Sequence, residues 1–101
     1  MSDHQFHVQV LPSEGVVRVA GDLDISTSGA LSDALDRLVS ESDGDVLTFD
    51  LGDVGFMDSS GLAVLMRAAA TGRRVVVRGA SLGVRLALEA TGLVGVVEVE
   101  P

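Results

Sequence analysis

The chain has 101 residues, and 47% of them are hydrophobic, so it is long enough for one domain and too apolar to remain disordered. Its formal net charge is -8, and its basic residues are all arginine. Because an acidic surface is repelled by nucleic acid and by anionic lipid headgroups, we expect no direct binding to nucleic acid. The absence of cysteine excludes disulfides and thiolate metal sites and is typical of a reducing compartment.

The chain carries no recognisable targeting or membrane segment. Its first residues lack a basic segment followed by an apolar run, so no secretory signal is predicted. No apolar stretch is long enough to span a bilayer, and Arg67 interrupts the best candidate, residues 61–70. We therefore expect a cytoplasmic protein without membrane insertion.

The first half of the chain predicts two strands, a helix and a third strand. Apolar and polar residues alternate over residues 6–10, and a turn at 12–15 leads into a second strand at 17–20, which makes a hairpin. The polar run 26–28 offers N-caps for a helix with apolar residues at helical spacing. A third strand follows over residues 45–51. The apolar helix positions are Ala30, Leu31, Ala34, Leu35 and Leu38.

The second half continues the alternation of helices and strands. A turn leads to a second helix that begins at residues 59–60. Residues 74–78 form a short run that is apolar throughout its centre, which is typical of a strand covered on both faces. Ser81 caps a third helix that closes at 91–92, and a last strand is predicted over residues 94–99.

The order of elements is therefore ββαβαβαβ. Strands that alternate with helices imply right-handed crossovers and a mostly parallel sheet, here with an antiparallel hairpin at one side. Residues 1–101 contain no linker, internal repeat or low-complexity tract. The sequence thus predicts a single α/β domain with a mixed, mostly parallel sheet and three helices.

The most informative segment is 50–62, where an apolar strand runs through a turn into an amphipathic helix. Ser59 and Ser60 bring two hydroxyls to the start of that helix, where free N–H groups and the helix dipole favour negative charge. A phosphate here would be tolerated by the fold and would change the surface that the protein presents. This is the profile of a covalent switch.

A simpler interpretation is that Ser59 only caps the helix, a role worth about 1 kcal/mol. Asp58 and Ser60 are equally good caps, however, so three candidates compete for one position. Gly61 also costs roughly 1 kcal/mol relative to alanine inside a helix. A small residue beside the hydroxyl favours the hypothesis that another protein approaches the backbone here.

No enzymatic site emerges from the sequence. A serine hydrolase needs a base, but the segment around Ser59 is not a Gly-x-Ser-x-Gly elbow, and the histidines, His4 and His7, lie on the first strand. The chain has no lysine and hence no phosphate-binding P-loop. Carboxylates near strand ends are more often caps and turn formers than metal ligands. We therefore expect no enzyme activity, cofactor or metal, although a metal could be considered at Asp50, Asp53 and Asp58.

Three sequence elements together resemble a known family. Residues 56–62, Phe-Met-Asp-Ser-Ser-Gly-Leu, come soon after the strand that ends at 50–51. Residues 21–24 (Gly-Asp-Leu-Asp) follow the second strand, and residues 91–93 (Thr-Gly-Leu) precede the last one. In this order and spacing, the chain is similar to STAS domains of the anti-sigma factor antagonist family. The Asp-Ser-Ser-Gly-Leu element is the specific one.

The resemblance implies a function in partner switching. In this family the serine directly after the aspartate is phosphorylated by a partner anti-sigma factor that is also a kinase, and here that serine is Ser59. The unphosphorylated form binds the anti-sigma factor and so frees the sigma factor, and a phosphatase resets the cycle. The residues expected to bind the partner are Asp22, Asp24, Asp58, Ser60, Gly61 and Leu62.

Topology predicts that Asp24 lies close to Asp58 and Ser59. The ends of neighbouring parallel strands that lead into helices lie on one edge of the sheet, where binding sites gather. The two carboxylates would then form an acidic rim around the hydroxyl that a basic side chain of the kinase contacts. The alternative is that Asp24 caps the first helix.

Two further alternatives stay open. Many relatives add a C-terminal helix where this chain ends at Pro101, so either the domain tolerates a barer sheet or a partner covers it, for example a second copy in a homodimer. The family also includes STAS subunits that do not switch, in stress-sensing scaffolds or in lipid-transport ATPase complexes. Such a subunit is the alternative function.

Overall fold

The computed structural model describes residues 6–101, so His4 and the rest of residues 1–5 lie outside the described part of the chain. A five-stranded sheet has the spatial order β1-β2-β3-β4-β5, in which β1 is antiparallel to β2 and the remaining neighbours are parallel. The α/β fold with an N-terminal hairpin and three helices is therefore confirmed. The elements are β1 (His7–Leu11), β2 (Val16–Leu23), α1 (Ser28–Glu41), β3 (Val46–Met57), α2 (Ser59–Ala69), β4 (Arg74–Arg78), α3 (Leu82–Ala90) and β5 (Glu98–Val99).

The strand β3 is longer than the sequence predicted. The segment after Leu51, expected to be a turn, continues as strand to Met57. It pairs with β2 throughout, and the register shifts twice along the pair. Gly52 and Gly55 fall at the extra residues of β3, as expected for β-bulges. A long partner strand therefore overrides the local turn signals.

The end of the chain also differs from the prediction. In place of a strand over residues 94–99, a 3₁₀ turn spans Leu93–Gly95, and β5 has only two residues. The last strand is short because the 3₁₀ turn, which places Leu93 in the core, occupies the first part of the predicted strand.

The core lies on one face of the sheet, and all three helices contribute to it. Strand register places Val17, Phe49 and Val77 side by side on this face. Their side chains join one buried cluster with apolar residues of every helix. Crossovers that all advance in the same direction along a parallel sheet place their helices on the same face, which explains this one-sided packing. The helix residues buried in the cluster are Leu31, Ala34, Leu35, Leu38, Leu62, Val64, Leu65, Ala68, Val84 and Leu88.

The opposite face of the sheet, here called the open face, is polar. Arg18, Asp50 and Arg78 stand side by side on it, and the Nε of Arg18 lies 3.8 Å from a carboxylate oxygen of Asp50. Val76 is also buried there, although within residues 6–101 no helix packs on this face. Its neighbours include Arg74, which is paired with Glu98, and the stems of such long side chains cover apolar surface. Val76 is thus buried among the side chains of the open face itself, between Thr48 and Glu98 on the neighbouring strands, and not under a second layer.

An arginine after the second helix holds the end of the first. The guanidinium of Arg73 donates hydrogen bonds of 3.1 Å to the carbonyl of Val39 and of 3.1 Å to the carbonyl of Ser42. Both carbonyls belong to the C-terminal turn of α1, where carbonyl groups lack partners within the helix. A cation there also interacts favourably with the helix dipole.

Candidate functional site

Two neighbouring strands end together at the edge of the sheet that precedes α1 and α2. Leu23 of β2 is paired with Met57 of β3, and the N–H of Asp58 donates a 3.0 Å hydrogen bond to the carbonyl of Leu23. Asp24 and Asp58, the next residues along each strand, therefore occupy adjoining positions. We call this region, residues 22–27 and 56–62, the switch edge.

The two adjacent serines at the switch edge differ in what their hydroxyls do. Asp58 is the N-cap of α2, and its Oδ1 accepts a 2.9 Å hydrogen bond from the N–H of Ser60. The hydroxyl of Ser60 donates to the same oxygen at 2.5 Å. Ser59 is exposed, and within residues 6–101 its hydroxyl has no hydrogen-bond partner. Of the two hydroxyls, that of Ser59 is the one free to react.

The segment after β2 repeats the arrangement seen after β3. Oδ1 of Asp24 accepts a 2.9 Å hydrogen bond from the N–H of Ser26 and a 2.6 Å hydrogen bond from its hydroxyl. The hydroxyl of Ser26 is also the main cause that holds the pKa of Asp24 below its ordinary value. Asp24 thus organises the loop before α1 and does not cap the helix itself.

The expected N-cap of α1 has another role. Thr27 is in the N-cap position, but its side chain makes no capping hydrogen bond to the helix. Its hydroxyl accepts a 2.9 Å hydrogen bond from the N–H of Asp24 and donates one of 2.7 Å to the carbonyl of Asp22. Thr27, a cap candidate in the sequence, therefore connects the loop to the end of β2 by hydrogen bonds.

Asp22 is half-buried near the end of β2 and is paired with Phe56. Its neighbour Leu23 is fully buried in the core, and successive side chains of a strand alternate between faces. The side chain of Asp22 therefore belongs to the open face, beside the exposed ring of Phe56.

Gly61 and Leu62 lie on the inner side of α2, and both are buried. A Cβ at position 61 would stand 2.9 Å from Cγ of Met57 and 3.1 Å from Cβ of Leu23. The structure therefore gives a reason for this glycine that the sequence argument did not find: it lets α2 pack closely on the ends of β2 and β3. Gly61 and Leu62 therefore pack inside the protein, beneath the surface of the switch edge. The predicted partner-binding residues that have accessible surface are Asp22, Asp24, Asp58 and Ser60.

Two of the three carboxylates considered as metal ligands have other partners. Asp50 pairs with Arg18 and accepts a 3.1 Å hydrogen bond from the N–H of Gly52, while Asp58 caps α2. Among residues 6–101, no three histidine, cysteine, aspartate or glutamate side chains are grouped closely enough to hold a metal ion. In the same range, no helix is both long and apolar enough to cross a membrane.

Sequence reasoning missed two apolar side chains at the switch edge. Ile25, between Asp24 and Ser26, is 86% exposed, and Phe56 is 52% exposed. The sequence did offer a signal for Ile25, because it is a bulky apolar residue inside a polar loop directly after a strand. No periodic pattern includes Ile25, so it was not assigned to any face.

Comparison with protein families gives a match over nearly the whole chain. The profile of the family described as "Mlab, STAS domain" matches residues 6–98. The chain belongs to the STAS domain family. A comparison with curated proteins finds no match.

Solved structures similar to this STAS domain include anti-sigma factor antagonists. An anti-sigma factor antagonist from Mycobacterium paratuberculosis is 26% identical, with a TM-score of 0.85, and the match covers 99% of this chain and 89% of the other. Unphosphorylated SpoIIAA, an anti-sigma factor antagonist, is 20% identical with a TM-score of 0.68, and the match covers 96% and 89% of the two chains.

Two more distant structures share the fold. SpoIIAA, a Bacillus cell fate determinant, is also known in its phosphorylated form, at 18% identity and a TM-score of 0.63 over 96% of this chain and 92% of the other. A Pseudomonas aeruginosa complex of the diguanylate cyclase SiaD with its activator SiaC gives 19% identity and a TM-score of 0.57 over 98% and 90%. Both structures show the same fold as this chain at low sequence identity.

Proposed function

We propose that this STAS domain is an anti-sigma factor antagonist. Its unphosphorylated form binds an anti-sigma factor that is also a serine kinase and so releases a sigma factor. Phosphorylation of Ser59 ends that binding, and a phosphatase restores it. The proposal implies a non-enzymatic protein of the cytoplasm, where bacterial RNA polymerase acts.

One observation carries the proposal: Ser59 is exposed with an unengaged hydroxyl at the start of a helix, whereas the neighbouring hydroxyl of Ser60 is bound to Asp58. A kinase that reaches this edge therefore finds one free nucleophile. The antagonist from Mycobacterium paratuberculosis, at 26% identity, supports the general function. That SpoIIAA exists in phosphorylated and unphosphorylated forms is consistent with the switch.

The electrostatics of the switch edge favour a change in the interface over a change in the fold. A phosphate adds about -1.5 to -2 charge, and a helix N-terminus returns about 0.3–2 kcal/mol of stabilisation. Repulsion from Asp58 and Asp24 costs about 1 kcal/mol for each close, solvated pair, so the two effects nearly cancel in the free protein. Inside an interface, an unpaired dianion loses its water at a cost of several kcal/mol. Each 1.4 kcal/mol is a factor of ten, so affinity should fall by about 100-fold or more.

The carboxylates of the switch edge also fit a basic partner surface. Asp22, Asp24 and Asp58 come from adjacent strand ends, and in Asp24 and Asp58 the loop hydrogen bonds use Oδ1. The remaining oxygens can accept hydrogen bonds from an arginine or lysine of the kinase. We infer that these residues, with Ser60, form the rim of the binding site around Ser59.

The test uses the anti-sigma factor kinases encoded in the source genome, each purified and mixed with the STAS domain and ATP. Mass spectrometry should find a single phosphate, on Ser59, and the matched variant Ser60→Ala should still be phosphorylated. By titration calorimetry, Ser59→Ala should bind within a few-fold of the parent protein, while Ser59→Glu should bind weakly. A phosphate on Ser60, or kinases that bind none of these proteins, would contradict the proposal.

A second candidate is a permanent STAS subunit of a larger assembly, such as a stress-sensing scaffold or a lipid-transport ATPase. One observation favours it. An apolar hollow of about 260 Å³ is lined by Met66, Ala69, Ala70 and Val96, and the side chains of Met66 and Val96 are both exposed. Exposed apolar patches mark sites of protein contact. A stable stoichiometric complex in cells, with no phosphate on Ser59, would support this function over the switch.

A further inference from the structure

Ile25 is the most exposed large hydrophobic residue of the described chain, at 86%. Its neighbours Asp24 and Ser26 are polar and hydrogen-bonded to each other. Single exposed apolar residues are common on protein surfaces, so exposure alone indicates little. The position of this side chain relative to Ser59 gives it significance.

Ile25 and Ser59 hold equivalent places in two matching segments. In each segment an aspartate Oδ1 accepts hydrogen bonds from the N–H and the hydroxyl of the serine two residues later. The residue between aspartate and serine is Ile25 in one segment and Ser59 in the other. Because Leu23 and Met57 are paired, and parallel strands lie about 4.8 Å apart, the two segments leave the sheet side by side.

The loop that carries Ile25 is held in place before any partner arrives. The carbonyl of Asp24 accepts hydrogen bonds from the N–H groups of Thr27, at 3.1 Å, and Ser28, at 2.9 Å. The Thr27 hydroxyl binds the loop back to β2. A β-branched side chain also has few rotamers, so burying Ile25 costs little conformational entropy. Such a side chain suits an anchor, because rigid apolar groups at an interface give affinity at low entropic cost.

We propose that Ile25 is the apolar anchor of the switch edge and enters a hydrophobic pocket of the same kinase that phosphorylates Ser59. This inference rests on the proposed function and adds the feature by which the partner recognises the site. A phosphate on Ser59, on the adjoining segment, brings its hydration shell to the place where the pocket must become dry. Phosphorylation therefore acts by preventing the burial of Ile25.

The experiment compares Ile25→Ser and Ile25→Val with a matched control, Leu82→Ser, because Leu82 is 72% exposed but lies on α3. Affinity for the purified kinase that phosphorylates Ser59 is measured by titration calorimetry. Removing a buried isoleucine side chain should weaken binding by about 10- to 100-fold, and removing one methylene by about 4-fold. The control should bind within about 2-fold, and none of the three should lose thermal stability, since both side chains are exposed in the free protein.

The outcomes separate this inference from the proposed function. Ser59→Glu is measured in the same series as the marker of the switch. If Ser59→Glu weakens binding and Ile25→Ser does not, the anchor is overturned while the switch stands. If neither substitution changes the affinity, the interface lies elsewhere and both proposals fail. A graded loss from Ile25→Val to Ile25→Ser, with Leu82→Ser unaffected, supports the anchor.

Discussion

Replacing Gly61 with alanine tests whether this glycine is required by packing inside the protein. A Cβ at position 61 would stand 2.9 Å from Cγ of Met57 and 3.1 Å from Cβ of Leu23, closer than ordinary van der Waals contact. Overpacking of this kind costs about 1–3 kcal/mol. Alanine also gains up to about 1 kcal/mol over glycine in a helix. We therefore expect Gly61→Ala to be destabilised by about 0–2 kcal/mol in total.

Gly83 provides a matched control because it lies in the first turn of α3 and a Cβ there meets nothing within 4 Å. Gly83→Ala should gain only the stabilisation that alanine has over glycine in a helix. The free energies of unfolding of the two variants should thus differ by about 1–3 kcal/mol, with Gly61→Ala the less stable. Urea unfolding of both variants and the parent protein measures this difference.

Two outcomes would refute the packing argument. Equal stability of the two variants would mean that Met57 moves aside at no cost. A Gly61→Ala protein that is as stable as Gly83→Ala but no longer binds the kinase proposed above would instead restore the hypothesis that the partner approaches the backbone here. In a domain of this size, 1 kcal/mol shifts the melting temperature by about 4–8 °C, so thermal unfolding can resolve the difference as well.

Two further predictions concern stability. Arg73→Ala should lose about 1–2 kcal/mol of unfolding free energy, because the carbonyls of Val39 and Ser42 lose a charged donor. The control Arg37→Ala removes an exposed i,i+4 ion pair and should change the unfolding free energy by no more than about 0.5 kcal/mol. Urea unfolding of both variants measures the difference. The pKa of Asp24 is lowered in the folded state, so its carboxylate stabilises the protein above the unfolded-state pKa, and this contribution is lost as the pH falls through the folded-state pKa. Asp24→Asn should therefore be less stable than the parent protein at neutral pH and equal to it in strong acid; a difference that persists in acid would contradict this reasoning.

The arrangement of helices and strands could be predicted because it depends on features that a single sequence displays. Apolar spacing located the three helices, and the alternation of helices with strands fixed a mostly parallel sheet. The same topology brings Asp24 and Asp58 to adjoining strand ends. Ser81 was also identified as a cap from sequence, and its side chain accepts the N–H of Val84.

Other features depend on partners that are distant in sequence. The glycines after Leu51 indicate a turn by local rules, but β2 extends far enough to keep this segment in the sheet. The apolar run around Val76 indicates a second covering layer, but Val76 is buried among the side chains of its own face. Gly61 suggests an approach from outside, whereas Met57 and Leu23 fill the space from inside. In each case, the deciding contact comes from another element of the fold.

The uneven length of β3 has a consequence for motion. Its pairing with β4 ends at Asp50 and Arg78, so from there to Met57 the strand is paired within the described residues with β2 alone. Because β1 pairs with β2 as far as Ala20, which lies opposite Asp53, the sheet is two-stranded only where residues 21–23 pair with residues 54–57. A two-stranded ribbon is only marginally stable by itself, and its order here depends on the helices packed against it. Ser59 thus stands at the end of the molecule where amide hydrogens should exchange soonest by local opening, while the five-stranded part stays closed. A bound kinase would slow exchange in this ribbon first, and phosphorylation would leave the slow-exchanging centre of the sheet unchanged.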